Sequence, residues 1–135
     1  MLVADRKVID MYNIEDCSQD ILNELIKIFK NHKEKVTGYT DYRGRAIRIS
    51  GKYNTNIWIR VEQFSGDKMN INISNIHLRP GIQRKGILTE ICKMLSLKKY
   101  VQNVYIGSPT TDAIHKFAQK FGLEYDSRYT RYIVK

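Results

Sequence analysis

Apolar positions along this chain change period several times, and each change predicts an element. Lys7 to Tyr12 (KVIDMY) reads as a short strand. Ile21, Leu22, Leu25, Ile26 and Phe29 then recur at helical spacing, which predicts an amphipathic helix over about Ser18 to Lys30, with Asp16 or Ser18 as its cap. Asn31 to Arg45 is polar, carries two glycines and shows no period, so it reads as a loop or a weak helix. Two strands follow, Ala46 to Ser50 and Asn56 to Phe64, and a turn through SGDKMN leads into a third, INISNIHL.

In that third run Ile71 and Ile73 share one phase, whereas Ile76 and Leu78 fall in the other. A one-residue slip near Ser74 and Asn75 is the trace of a β-bulge, because otherwise half of the apolar residues would face the wrong side. A strand buried on both faces would give the same slip. Ile87, Leu88, Ile91, Met94 and Leu95 form the stripe of a helix over about Gly86 to Lys99, and Asn103 to Gly107 forms a further strand. Ser108 caps and Pro109 opens a last helix, lined by Ala113, Ile114, Phe117, Ala118 and Phe121 and stopped at Gly122. LEYDSRYTRYIVK closes the chain as a strand or hairpin. This order predicts a single mixed α/β or α+β domain over residues 1–135, with a mostly antiparallel central sheet and flanking helices.

Between the slipped strand and the next helix lies LRPGIQRKG, Leu78 to Gly86. A glycine at a helix start leaves backbone N–H groups unpaired, and the helix dipole behind them favours an anion; a diphosphate matches the span of three or four amides. Arg79, Arg84 and Lys85 add positive potential at its rim. The loop is neither GxxxxGK[ST] nor GxGxxG.

Charge widens the choice of partner. Lys and Arg number 23 against 14 Asp and Glu, a net charge of +9, and there are nine tyrosines. Such a balance suits nucleic acid, an acidic protein or a phosphorylated small molecule, or simply a solubilising surface. Cys17 and Cys92 stand far apart, no cluster has metal-ligand spacing, no apolar run is long enough to span a membrane, and the first residues lack the apolar core of a signal peptide. A cytoplasmic protein is the expectation.

The run LRPGIQRKGIL resembles motif A of the GNAT superfamily of acyl-CoA N-acyltransferases, with Gln83, Arg84, Lys85, Gly86, Ile87 and Leu88 at the Q/R-x-x-G-x-G/A positions. TTDAIHKFAQKFGLEY resembles its motif B more weakly. The resemblance implies a bulged fourth strand splayed from the fifth, with the pantetheine arm of acetyl-CoA against Ile76 and Leu78 and the pyrophosphate on the Gln83 to Leu88 amides. Thr111 stands where the family has an Asn. It further implies acetyl transfer to a primary amine by direct attack in a ternary complex. Leu88 replaces the family's small residue, and Ala118 stands where a general-acid Tyr is common. Tyr105, Tyr125, Tyr129 or Tyr132 is then left to protonate the thiolate, or else to serve only strand packing. Candidate bases are Glu62 and His77, the latter equally readable as an ordinary surface histidine. The expected acceptor is an amine on an acidic protein or on RNA, and a homodimer falls within the same expectation. The competing function is a binding module of the same fold, without the chemistry, for nucleic acid or an acidic protein.

Overall fold

The computed structural model describes residues 13–41, 43–83, 85–107 and 112–135. The strand expected at Lys7 to Tyr12 and the cap expected at Ser108 and Pro109 lie outside them. Helix α1 (Ile14–Asn31) begins four residues earlier than its apolar period suggested. Asn13 is the N-cap, its side-chain oxygen accepting from the Asp16 N–H at 2.9 Å, and Glu15 and Asp16 sit at the positive end of the dipole. Ser18, read as a cap, is instead fully buried inside the helix and donates its hydroxyl to the Gly44 carbonyl. Cys17, Ile21, Leu22, Leu25 and Phe29 are the buried face.

The segment read as a loop holds a strand, β1 (Val36–Asp41). Its inward positions are Val36, Gly38 and Thr40, so no apolar alternation betrays it. Gly38 is required there, since a Cβ would lie 2.6 Å from both Ile49 and Leu22. Strands β2 (Ala46–Gly51), β3 (Asn56–Ser65) and β4 (Lys68–His77) complete a four-strand antiparallel meander, one strand more than expected. After a single 3-10 turn (Pro80–Ile82) come α2 (Ile87–Leu97), β5 (Val101–Gly107), α3 (Asp112–Lys120), β6 (Glu124–Asp126) and β7 (Arg131–Ile133).

The described strands form one seven-stranded sheet in the order β1-β2-β3-β4-β5-β7-β6, antiparallel except for the parallel pair β4–β5. This is the α+β architecture expected of the chain. Isoleucines fill its core face. Ile47, Ile59, Ile73 and Ile106 lie side by side across four strands, and Val61, Ile71 and Val104 form the adjacent row. All are essentially inaccessible to water. Each is worth roughly 1.5–3 kcal/mol of burial, and β-branched residues suit the pleat. Helices α1 and α2 pack on this face and on one another. The opposite face is polar and aromatic: the Arg48 guanidinium stacks 3.6 Å from the Trp58 ring centroid, and that of Arg131 stacks 3.5 Å from Tyr105. Among the described residues, no helix is long and apolar enough to cross a membrane.

Candidate functional site at the diverging β4–β5 pair

The bulge lies where the apolar slip put it. Trp58 faces Asn75 while Ile59 faces Ile73, so Ser74 is the extra residue. Its hydroxyl donates to the Trp58 carbonyl at 3.3 Å, next to the break in the ladder. The insertion returns Ile76, opposite Ile57, and Leu78 to the core side. A bulge also bends its strand. Parallel pairing with β5 runs from Met69 to Ile73 and stops there, and among the described residues Asn75 to His77 pair with β3 only while Ser74 is bulged. On the β5 side the backbone groups of that stretch have no strand partner, and they border the loop to α2. Asn72 marks the last closed rung on the polar face: it sits opposite Tyr105, its buried side-chain oxygen has no partner among the described residues, and it lies against Gly107, where a Cβ would fall 2.8 Å from it.

Gly86 is the N-cap of α2 and adopts φ +82°, ψ 8°, a left-handed conformation that glycine alone enters freely. Among the described residues no side chain caps the helix; the Gly86 carbonyl accepts from the Glu90 N–H at 2.9 Å. The amides of Ile87, Leu88 and Thr89 therefore have no intrahelical acceptor. Ile87 is buried and Leu88 packs against the core, which turns its bulk away from those amides.

The rim of the loop departs from expectation. Arg79 is not a free cation: its guanidinium grips Glu34 in a two-pronged pair, Nε on one carboxylate oxygen and Nη2 on the other at 2.8 Å. Its backbone N–H donates to the hydroxyl of buried Thr55 at 3.0 Å. Hydrogen bonding from Arg79 holds the Glu34 carboxyl below its ordinary range against the opposing effect of burial, helped by the charges of Arg79, Lys85 and Lys52. Gly81 makes this clamp possible, because a Cβ there would stand 2.1 Å from the guanidinium. Gln83 donates to the Leu78 carbonyl at 2.8 Å, bracing the loop. Lys85 is exposed; Arg84 and Thr111 lie outside the described residues.

His77 ends β4 on the polar face. Its Nδ1 lies 3.0 Å from the Asn54 carbonyl. A carbonyl only accepts, so Nδ1 carries the proton, and in the neutral ring Nε2 keeps its lone pair. Asn54 and Tyr53 form the turn of the β2–β3 hairpin with φ of 64° and 52°, which presents that carbonyl. Glu62 does not join His77: it faces Asn70, whereas His77 faces Asn56, six residues or about 20 Å away along β3. It is exposed and 3.9 Å from Arg60. Tyr125 lies on the outermost strand, β6, edge-on to Tyr132 with ring centroids 5.0 Å apart. Tyr132 is nearer the gap. It faces Ile106 on β5, is buried, and hydrogen-bonds His115 at 2.7 Å. Ala118 is fully buried, so its position faces the core rather than a ligand.

Sequence reading missed the Glu34–Arg79–Thr55 clamp, because Glu34 sits in a stretch without period. It also missed a cavity of about 770 Å³ beside it, lined by α1, β1 and the end of β2. Compared with protein-family models and with curated proteins, the chain matches none.

Proposed function

We propose that the chain binds acetyl-CoA and transfers its acetyl group to a primary amine, as a member of the GNAT type. One observation carries the reading: a parallel strand pair diverges at a bulge, and the freed strand leads directly into a glycine-started helix with uncapped amides. A slender amide-bearing arm fits beside the unpaired backbone of Ser74 to His77, and a diphosphate fits the α2 amides with Lys85 alongside. The amine attacks the thioester carbonyl, the tetrahedral intermediate collapses, and the thiolate of coenzyme A leaves. His77 Nε2 is oriented to take the amine proton, and Tyr132 is the hydroxyl next to β5 for the departing sulfur. Glu62, at the far end of β3, takes no part.

Calorimetric titration with coenzyme A and with pantetheine, which lacks the diphosphate, tests this. Coenzyme A should bind at least tenfold more tightly; no heat at millimolar coenzyme A ends the reading. A second reading, binding without transfer, is favoured by the burial of Ala118, which removes the family's usual acid position. Acetyl-CoA binding without release of free coenzyme A in the presence of varied amines would select it.

A further inference from the structure

We propose that the cavity at the β1–β2 edge docks an extended acidic peptide. Lys30, Lys33, Lys35 and Lys52 surround it over an apolar floor that includes Ile26 and Val36. Among the described residues, none of the four ammonium groups has a carboxylate within ion-pair distance. Among the described residues the acid in the wall is Glu34, already taken by Arg79. Four positive charges therefore share one concavity without a contact ion pair among the described residues, Lys52 acting on Glu34 only through its field, and an anionic occupant suits them.

Lys33 strengthens the case. It follows the last turn of α1 with φ 58°, and the Glu34 N–H closes back on the Phe29 carbonyl at 2.9 Å. That is the left-handed position at a helix end where glycine is favoured. A lysine in that conformation is strained, and its charge is presented at the helix end at a cost to the fold.

Geometry selects the class of anion. The lysines come from the last turn of α1, from the turn into β1 and from the residue after β2, and because Val36 pairs with Gly51 they gather around the end of the β1–β2 ladder. Among the described residues, no aromatic or arginine side chain lines the cavity, so a nucleic acid base finds nothing there to stack on. Val36 and Thr37 belong to β1, the edge of the sheet, whose outward N–H and C=O groups have no strand partner among the described residues. An extended peptide can hydrogen-bond that edge and place alternate carboxylates on the lysines. This inference does not rest on acyl transfer.

The test is fluorescence anisotropy with a labelled peptide of alternating Val and Glu, at low salt, using the full chain. The parent should bind the peptide and ignore its Val-Gln counterpart. Lys33→Gly should raise the melting temperature by about 3 °C, from the relieved backbone, while weakening the peptide about threefold. Such opposite movement cannot come from damaged folding. Lys33→Gln, Lys35→Gln and Lys52→Gln together should weaken binding at least tenfold. The same charge removed by Lys93→Gln, Lys116→Gln and Lys120→Gln should leave it within twofold. Equal weakening by both sets, or no binding at millimolar peptide, overturns the proposal. So does a thymidine oligonucleotide of equal charge that displaces the peptide more effectively than unlabelled peptide does.

Discussion

Replacing Gly86 separates the backbone requirement of the loop from its role as an anion site. A Cβ at Gly86 meets no atom within 4 Å, so the cost of Gly86→Ala is conformational alone. With φ at +82° that cost is about 1–2 kcal/mol. Unfolding entropy of about 2.1 cal/mol/K per residue over the whole chain makes each kcal/mol worth about 3.5 °C, so the melting temperature should fall by about 4–7 °C. Gly86→Glu bears the same backbone cost and also sets a carboxylate before the α2 amides. Coenzyme A at a hundredfold excess over its dissociation constant stabilises the parent by about 2.7 kcal/mol, or roughly 9 °C. Differential scanning fluorimetry with and without ligand reads both effects. Gly86→Ala should start lower and keep most of the ligand shift, whereas Gly86→Glu should start equally low and lose it. A full shift in Gly86→Glu would refute a diphosphate at the start of α2, and no shift in the parent would remove the ligand altogether.

Three further outcomes follow from other parts of the fold. Ala118→Tyr should destabilise by about 1–3 kcal/mol, since a phenol at a fully buried position overpacks the core; an unchanged melting temperature by calorimetry would show that the site is open. Glu34 is more acidic in the folded chain than in the unfolded one, so its contribution to stability is complete above the ordinary value of 4.5 and fades as the pH falls below it. Urea unfolding should accordingly show a steeper acid loss in the parent than in Glu34→Gln, and parallel curves would mean that the Arg79 clamp contributes nothing. The thiols of Cys17 and Cys92 are both pushed up to about 12, chiefly by burial, so at pH 8 only about one in 10⁴ is thiolate. Ellman's reagent should react only as fast as the protein opens, and immediate labelling of either cysteine in native buffer would contradict their burial.

What the sequence determined by itself is local. Period 3.6 marked the buried face of α1 and of α2, period 2 marked β2 to β4, and the lone phase slip located the bulge at Ser74 to within a residue. A buried face tolerates few polar intrusions, so each pattern is written in the order of residues. The glycine before α2 was equally legible, because a helix start without a capping side chain is a local event. Tertiary structure decided the rest. β1 escaped notice because its central inward residue is Gly38, chosen for the closeness of Ile49 and Leu22, which only packing reveals. Arg79 looked like part of an anion site until Glu34, 45 residues earlier in the chain, was brought against it. Ala118 looked like a vacant acid position until the core closed over it. Glu62 and His77 were both candidate bases until the register of β3 with β4 set them about 20 Å apart. Each of these depends on which distant residue arrives alongside, and strand order and register settle that where no local period can.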